Sequence, residues 1–351
     1  MSKIKVGIIG ATGYVGAELV RGLAVHPQAL ITVLTSRSFA GKEFSDVYPA
    51  FDGICDLELT DTAPAQVAEQ CDLVITALPH GVSSVTVPML LNAGVRVIDH
   101  SGDFRYRTLS PYTESYKLEH PCPELLSEAV YGIPELYRKQ LIGAKLTANP
   151  GCYPTCSVLA LAPFLRHGLI KADGIIIDAL SAVSGAGRKA DLPFSFCELD
   201  ESFKPYSVIN HRHTTEIEQE CSILAGKDII VTFTPHLIPV KRGMLATIYA
   251  EPAASDGSCS LSALREALES DYANEPFVRV KKGSALPSTG AVVGTNYIDI
   301  AVDHDPRTGR IKIMSAVDNL GKGAALQAIQ AMNSMFGLPE TTGLQNMTSG
   351  L

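Results

Sequence analysis

The sequence predicts two α/β-type domains: a doubly wound parallel sheet, followed by an α+β domain with a mixed or antiparallel sheet. At 351 residues the chain is too long for one ordinary hydrophobic core, so two domains are expected. Its first part alternates continuous apolar runs with helical segments, which is typical of a parallel sheet covered on both faces. Its later part is richer in β-branched runs with fewer helices between them, which favours a mixed or antiparallel sheet.

The elements of the first domain are marked by a change of hydrophobic period. Short continuous apolar runs predict strands at 5–9, 30–34, 73–78, 95–99 and 145–148. Helical spacing predicts helices over 17–25 and 85–92. This alternation is the pattern of strand, crossover helix and parallel strand.

The second domain begins with a predicted buried helix over 153–165. Runs rich in β-branched residues then predict strands at 174–180, 229–234, 245–250, 297–302 and 310–316. The segment 322–336 is predicted to be one amphipathic helix, with alanines that suit close packing.

Composition limits the classes of function. The chain is 46% hydrophobic and 19% charged, which suits a globular enzyme better than a disordered protein. Lys and Arg number 29 against 37 Asp and Glu, so the net charge is 29 − 37 = −8, and no basic run favours a nucleic-acid partner. No apolar stretch approaches the roughly 20 residues of a membrane span.

The termini and the cysteines favour a cytoplasmic protein without a structural metal. The first strand begins almost at once, so no secretory signal is expected. The eight cysteines form no Cys-x-x-Cys pair with a second matching pair, so a zinc site is not expected and free thiols are. Cys156, one helical turn after Cys152, is predicted to fill the core.

A glycine loop at 10–16 follows the first strand directly and opens the first helix. Glycine lets the backbone turn tightly and approach a pyrophosphate, which the helix N-terminus attracts. The spacing G-x-x-G-x-x-G is a variant of the dinucleotide-binding pattern, so a Rossmann-type domain is predicted. A glycine-rich turn without a ligand is the alternative.

The end of the second strand discriminates between the two nicotinamide dinucleotides. A carboxylate there would bind the ribose 2′-hydroxyl of NAD. Ser36 and Arg37 stand there instead, and a hydroxyl and a guanidinium suit the 2′-phosphate of NADP(H). The alternative is that Arg37 is a solvated loop charge.

Cys152 stands between a predicted strand and a predicted helix, in Asn149-Pro150-Gly151-Cys152. The unsatisfied N–H groups and positive dipole of a helix start favour the thiolate, which is the nucleophilic form of cysteine. The alternative is a small buried apolar residue at a turn.

A thiolate beside a nucleotide fold suggests aldehyde-level redox chemistry, which needs an acid or base near the sulfur. His211 and His213 are the candidates. Thr215 to Glu218 has the pattern of a capping box, so a helix is predicted to begin there with both histidines just before it. The dipole would keep them neutral. They could instead be metal ligands, but no third ligand has a suitable spacing.

Several polar residues follow other predicted strands, where ligands of such sheets gather. Arg105 is a candidate clamp for a phosphate or carboxylate, or else an ion pair of Asp103. Ser184 and Gly185 could line either the cofactor or the substrate site.

Seven motifs in order carry a family resemblance. They are the glycine loop, Ser-Gly-Asp-Phe-Arg at 101–105, Asn-Pro-Gly-Cys-Tyr-Pro-Thr at 149–155, Ser-Gly-Ala-Gly at 184–187, His-Arg-His at 211–213, Pro-His-Leu-Ile-Pro at 235–239 and Asp-Asn-Leu-Gly-Lys-Gly-Ala-Ala at 318–325. Together they resemble the N-acetyl-γ-glutamyl-phosphate reductases, NADPH-dependent enzymes of arginine biosynthesis related to aspartate-semialdehyde dehydrogenase. Thr215 is a departure, since proline is expected there in many relatives.

The resemblance implies a role for each domain. Residues 1–148 would bind NADP, completed by a C-terminal helix over 320–351 that packs back on them. Residues 149–319 would form the catalytic and oligomerisation domain of a homodimer or homotetramer. Cys152 would displace phosphate from an acyl phosphate, NADPH would reduce the thioester, and the hemithioacetal would collapse to the semialdehyde with a proton from a histidine, His213 being preferred over His211.

The predicted site residues fall into three groups. Cys152 and His213 are catalytic. The cofactor contacts are Gly10, Thr12, Gly13, Tyr14, Val15, Gly16, Ser36, Arg37, Ser184, Gly185 and, by the resemblance, Asn319 near the nicotinamide. The substrate contacts are Arg105, Asn149, His211 and Glu216. Rival hypotheses are a reductase of lysine biosynthesis acting on a carrier-bound aminoadipyl group, and a non-catalytic NADP-sensing regulator.

Overall fold

The computed structural model of the chain describes residues 2–254, 256 and 258–345. These residues divide into two compact units. Residues 2–150 and 324–345 form the first unit, and residues 151–323 form the second.

The first unit contains a sheet of seven strands: β1 (Ile4–Ile9), β2 (Ala29–Thr35), β3 (Leu59–Thr60), β4 (Leu73–Thr76), β5 (Arg96–Asp99), β6 (Val130–Tyr131) and β7 (Leu146–Ala148). Their order is β3-β2-β1-β4-β5-β7-β6, and every neighbouring pair is parallel. The order reverses between β1 and β4, which makes their carboxyl ends the expected ligand site of the sheet. The predicted doubly wound parallel sheet is confirmed.

Six helices connect these strands: α1 (Tyr14–Ala24), α2 (Phe44–Val47), α3 (Pro64–Ala68), α4 (Ser83–Asn92), α5 (Leu109–Tyr116) and α6 (Pro134–Leu141). One apolar cluster joins the sheet to them, with Val74 and Val97 from strands and Val67, Val87 and Leu90 from helices. Burial on both faces explains why the central strands are continuous apolar runs.

The second unit contains the strands β8 (Ile175–Ala182), β9 (Lys204–Pro205), β10 (Val231–Ile238), β11 (Met244–Ala250), β12 (Val278–Val280), β13 (Ile298–Asp305) and β14 (Arg310–Val317). They form one sheet in the order β12-β13-β14-β11-β8-β10-β9. Two neighbouring pairs are parallel, β12 with β13 and β8 with β10, and the others are antiparallel. The sheet is therefore mixed, in agreement with the prediction.

The helices of the second unit are α7 (Cys152–Arg166), α8 (Phe196–Leu199), α9 (His213–Ala225) and α10 (Leu261–Asp271). Helix α7 packs against β11 and β14 and against α9 and α10. Every residue of α7 from Tyr153 to Leu165 is buried, so the predicted buried helix over 153–165 is confirmed.

The last helix differs from its prediction in length and surroundings. A π-helical turn over Gly321–Ala325 leads into α11 (Leu326–Met335), and Gly337 follows with a left-handed φ of +69°. The predicted helix over 320–351 is therefore too long, because glycine in this conformation is a typical helix stop. Its last part, 346–351, lies outside the described residues.

Helix α11 is also buried on all sides, so its prediction as amphipathic is wrong. Its polar side chains are buried with hydrogen-bond partners, which makes their burial tolerable. Gln330 donates to the Glu135 carboxylate at 3.0 Å, and the Asn333 amide donates to the carbonyls of Glu340 and Thr342. Helix α11 packs against α1 and α6 in the first unit.

No helix among residues 2–254, 256 and 258–345 has both the length and the apolarity that crossing a membrane requires.

Candidate active site

The glycine loop connects β1 to α1 at the point where the strand order reverses. Gly10 has a φ of +88°, and a Cβ there would lie 2.5 Å from the Ala77 carbonyl oxygen at the end of β4. A Cβ at Gly16 would lie 2.5 Å from the Gly10 carbonyl oxygen. Side chains at these positions would collide with backbone, so the close turn depends on glycine. Gly13 is the N-cap residue of α1, and Tyr14 and Val15 form its first turn.

Two predicted cofactor residues meet beside this loop. The hydroxyls of Thr12 and Ser36 are 2.8 Å apart, although 24 residues separate them in sequence. The Tyr48 hydroxyl donates to the Thr12 carbonyl at 2.9 Å and so fixes the turn from a third element. No sequence pattern singled out Tyr48, since it lies between the four-residue helix Phe44–Val47 and a short 3₁₀ turn.

Arg37 stands apart from that cluster. Its side chain is 88% exposed, and its Nε lies 3.8 Å from the Asp61 carboxylate, which is itself largely exposed. This is the geometry of a weak surface ion pair, so the guanidinium is available to an anionic group from solution.

Arg105 and Asn149 come together at the carboxyl ends of β5 and β7, which are neighbours in the sheet. The Arg105 guanidinium is buried and donates to the carbonyls of Asn149 and His100, both at 2.8 Å. The Asn149 amide lies 3.2 Å from Nδ1 of His100 and donates to the Ala324 carbonyl at 3.0 Å. Burial and the Arg105 charge lower the pKa of His100 to about 3, so this ring is neutral.

His100 belongs to this cluster although it was not among the predicted site residues. Its position directly after β5, where ligands of a parallel sheet gather, could have identified it. Asp103, the alternative partner predicted for Arg105, accepts from the backbone N–H groups of Gly81 and Ser84 at 2.9 and 2.8 Å. Its carboxylate is thus stabilised by backbone donors at the start of α4.

Cys152 is the first residue of α7, with Gly151 as the N-cap residue in an extended conformation. The predicted position of Cys152 at a helix start is confirmed. The side chain is half-buried, whereas Cys156 one turn later is fully buried beside the Ser315 hydroxyl at 3.1 Å. Burial raises the pKa of Cys156 to about 12, which keeps it a thiol. Of these two cysteines, Cys152 is the one that combines partial exposure with the favourable dipole of the start of α7.

Gly151 is held between two side chains of α9. Its N–H donates to the buried Glu216 carboxylate at 2.9 Å. A Cβ at Gly151 would lie 2.5 Å from Nε2 of His213, so the imidazole lies directly against the residue that precedes Cys152. The starts of α7 and α9 therefore bring the predicted nucleophile, Cys152, and the predicted acid/base, His213, to the two sides of Gly151.

The start of α9 differs from its prediction. The helix begins at His213 and not at Thr215, so His213 lies in its first turn and not before it. The capping box is not formed: the Thr215 hydroxyl donates to the Arg212 carbonyl at 3.4 Å, and the Glu218 carboxylate accepts from the Val231 N–H at 3.1 Å. The side chains of Thr215 and Glu218 therefore make other hydrogen bonds than those of a capping box. In the described ranges no group of three or more His, Cys, Asp or Glu could hold a metal ion.

Gly323 approaches Cys152 from another direction. A Cβ at Gly323 would lie 2.9 Å from the Cβ of Cys152, so only glycine permits this contact. Gly323 lies in the π-helical turn, a feature that is frequent at functional sites. The buried Asp318 carboxylate before this turn pairs with Arg242 at 2.6 Å and accepts from the Leu320 N–H at 3.0 Å. Sequence patterns do not report this approach of distant backbone.

Ser184, Gly185 and Asn319 also meet within the second unit. The Asn319 amide donates to the Ser184 hydroxyl at 2.9 Å, and its oxygen accepts from the Gly243 N–H at 2.8 Å. A Cβ at Gly185 would lie 3.9 Å from the same amide nitrogen. Three residues selected from two distant motifs therefore form one polar cluster.

Two family models match the chain, one in each unit. "Semialdehyde dehydrogenase, NAD binding domain" matches residues 5–144, and "Semialdehyde dehydrogenase, dimerisation domain" matches residues 152–319. Solved structures with similar folds include aspartate semialdehyde dehydrogenase II from Vibrio cholerae, with a TM-score of 0.73, 19% identity and coverage of 95% of this chain and 98% of that one. The enzyme from Candida albicans, solved with NADP, has a TM-score of 0.68 at 18% identity and covers 95% and 100%.

Relatives found by sequence have a much higher sequence identity to this chain than these solved structures. The N-acetyl-gamma-glutamyl-phosphate reductase of Acetivibrio thermocellus is 52% identical over 97% of this chain and 98% of its own. The enzyme of the same name from Symbiobacterium thermophilum is 50% identical over 98% of each chain. Identity of this size over almost the whole length, with the motifs and geometry above, shows that the chain belongs to the N-acetyl-gamma-glutamyl-phosphate reductase family.

Proposed function

We propose that the protein reduces N-acetyl-glutamyl 5-phosphate with NADPH, giving N-acetyl-glutamate 5-semialdehyde and phosphate, in arginine biosynthesis. The observation that carries the proposal is Cys152 at the first position of α7, with His213 directly against the residue before it. Relatives that are 50% and 52% identical to this chain over 98% and 97% of its length bear the name of that reductase.

The cofactor assigned is NADP(H), and the residues of the first unit fit it. Gly10 and Gly16 permit the close turn between β1 and α1, and the N–H groups of the helix start that follows it suit a pyrophosphate. Hydroxyls of Thr12 and Ser36 and the exposed Arg37 follow β1 and β2 without a carboxylate on residues 35–38, which suits a 2′-phosphate. NADPH, when bound, supplies the hydride that reduces an acyl thioester to the aldehyde level.

Cys152 is assigned the nucleophilic step. The helix start favours its thiolate, which attacks the acyl carbonyl carbon. The new carbon–sulfur bond replaces the carbon–oxygen bond to phosphate, and inorganic phosphate leaves with the bonding electron pair. The acyl group then remains on sulfur as a thioester, which is the species to be reduced.

His213 is assigned the proton transfers. Its Nε2 lies against Gly151, so it can donate a proton to the carbonyl oxygen as that oxygen becomes negatively charged after reduction. The hemithioacetal then returns the proton to His213 as it expels the Cys152 thiolate and releases the aldehyde. Glu216, bonded to the Gly151 N–H, keeps the turn in place through this cycle.

The substrate contacts remain proposals built on the other polar groups. Arg105 is assigned the anionic part of the substrate, because its guanidinium is oriented by two carbonyls and cannot lose its charge. Asn149 precedes Cys152 by three residues and is held by His100 and Ala324. Asn319 and Ser184 are assigned to the nicotinamide end of the cofactor.

Exchange of the nucleophile tests the proposal. Cys152→Ser should lower phosphate-dependent reduction of NADP by N-acetyl-glutamate 5-semialdehyde by at least about 1,000-fold, since serine lacks an equivalent thiolate. NADPH binding, measured by fluorescence titration, should be retained. Cys197→Ser, which changes an exposed cysteine of the same unit, is the matched control. Wild-type turnover in Cys152→Ser would overturn the mechanism, and a preference for a carrier-bound aminoadipyl phosphate would overturn the substrate.

We also infer a homo-oligomer, either a dimer or a tetramer, and a cytoplasmic location. The dimerisation-domain match supports the oligomer, as do the exposed apolar side chains between β8 and α9, which are Leu192, Phe196, Phe203, Val208 and Ile209. Eight free cysteines suit a reducing compartment. A light-scattering mass equal to one chain of 37.4 kDa at micromolar concentration would refute the oligomer.

A further inference from the structure

His211 caps the first turn of α9. Nδ1 of its ring accepts the backbone N–H of His213 at 3.2 Å, and its carbonyl accepts the N–H of Thr214 at 2.9 Å. The N-cap residue itself, Arg212, makes no side-chain capping bond. The imidazole thus supplies an acceptor to the helix start, as the side chain of an N-cap Ser, Thr, Asp or Asn usually does, because a helix start leaves N–H groups that need acceptors.

We propose that His211 is a positioning residue: by capping α9 it holds His213 against Gly151, and it is not a ligand of the substrate. The role rests on the proposed function, since it matters to turnover only if His213 is the acid/base. It replaces the prediction that His211 binds substrate.

The hydrogen bond fixes the protonation state of the ring. An N–H group can donate to Nδ1 only if that nitrogen carries a lone pair, so the proton of His211 lies on Nε2 and the ring is neutral. Burial, with a smaller contribution from the Arg212 charge, lowers the pKa of His211 to about 4. The other titratable groups that face the ring are His213, Tyr153 and Tyr206.

Aromatic neighbours fix the orientation of the ring. Tyr153, Tyr206 and Phe233 surround it in edge-to-face contacts, with centroids at 5.4, 5.5 and 5.3 Å. The Tyr206 hydroxyl donates to the Tyr153 hydroxyl at 3.1 Å, which links two of these three aromatic residues. Tyr153 belongs to α7, Phe233 to β10 and Tyr206 to the loop after β9, so packing from three segments directs Nδ1 at the helix start together with the hydrogen bond.

Little freedom remains for His213. Its ring centroid lies 4.9 Å from that of His211. A Cβ added at Gly151 would lie only 2.5 Å from Nε2 of His213, so this nitrogen is packed against the Gly151 backbone. A small rotation of the first turn of α9 would therefore move Nε2 relative to the Cys152 turn. Catalytic geometry tolerates such displacement poorly, so loss of the cap should reach the chemistry through His213.

Two substitutions separate capping from the other roles. His211→Asn keeps a side-chain acceptor of the preferred capping type, whereas His211→Phe keeps an aromatic ring without an acceptor. We expect His211→Phe to lose about 100-fold in kcat, the lower range of acid–base catalysis, with KM for the acyl phosphate changed by less than about threefold. His211→Asn should stay within about tenfold of wild-type kcat, because the capping acceptor is restored.

Other patterns would contradict the proposal. A rise in KM at unchanged kcat would make His211 a substrate ligand. Equal losses in both variants, with loss of one limb of the pH profile, would make it the acid/base. Near wild-type kcat in His211→Phe would reduce its role to ring packing.

A measurement on the wild-type protein needs neither variant nor turnover. Nitrogen NMR of ¹⁵N-histidine-labelled protein should show His211 with an unprotonated Nδ1 down to about pH 5, above the value of about 4 for its pKa. A proton on Nδ1 at neutral pH would overturn the cap. Absence of reductase turnover with this signal intact would instead refute the proposed function and leave the cap in place.

Discussion

The glycine loop of the first unit is a site made by backbone, whereas the surroundings of Cys152 in the second unit are made by side chains from distant segments. Gly10 and Gly16 are needed because they have no side chain: a Cβ at either would lie 2.5 Å from a carbonyl oxygen. Around Cys152, α9 supplies His213 and Glu216, and the π-helical turn supplies Gly323. A binding surface can thus be local in sequence, while proton transfer needs groups that tertiary structure assembles.

The same minimal substitution in each unit should separate cofactor binding from chemistry. Gly151→Ala should lower kcat by about 100-fold or more, because the new methyl group displaces His213, while NADPH affinity stays unchanged. Gly10→Ala should weaken NADPH binding by about tenfold or more, because alanine is strained at a φ of +88° and meets the Ala77 carbonyl. Steady-state kinetics and calorimetric titration of NADPH measure the two effects.

Two further glycines provide matched controls. Gly41 in the first unit has a similar φ of +82°, but a methyl group added by Gly41→Ala would meet no atom within 4 Å. In the second unit, Gly290→Ala adds a methyl group 3.8 Å from the nearest side chain. Both should leave kcat and NADPH affinity close to wild type. If Gly151→Ala weakened NADPH binding as strongly as it lowered kcat, the division between the two sites would fail.

Local patterns account for the parts that the sequence predicted well. The strands of the parallel sheet are continuous apolar runs, and the glycine loop is contained in seven residues, so neither requires tertiary information. The start of α7 at Cys152 follows from the strand-to-turn boundary. The short strands β3, β6, β9 and β12 were not predicted, because two or three residues show no period; β7 is equally short but lies in the predicted apolar run 145–148.

Tertiary contacts account for the parts that it did not predict. Thr215 and Glu218 have the spacing of a capping box, yet they bond to Arg212 and Val231, and the ring of His211 caps the helix instead. The segment 322–336 was predicted to be an amphipathic helix, but the polar side chains of Gln330 and Asn333 in α11 are buried with hydrogen-bond partners. Which donors and acceptors meet is decided by the fold and not by local spacing.

Arg37 should give the smallest effect, because it is exposed. Arg37→Ala should raise KM for NADPH by up to about fivefold, as expected for a surface ion pair worth at most about 1 kcal/mol. KM for NADH should not change, since that cofactor lacks the 2′-phosphate. Arg307→Ala, which removes an equally exposed arginine of the second unit, is the control. An equal change in KM for both cofactors would remove Arg37 from 2′-phosphate recognition.

The central claim is that the acyl group of N-acetyl-glutamyl phosphate is transferred to Cys152 before reduction. Mass spectrometry of protein mixed with this acyl phosphate in the absence of NADPH tests it most directly. We expect an N-acetyl-glutamyl adduct on the peptide that contains Cys152, released by hydroxylamine as a thioester and removed by addition of NADPH. No adduct, or an adduct confined to another of the eight cysteines, would contradict the account.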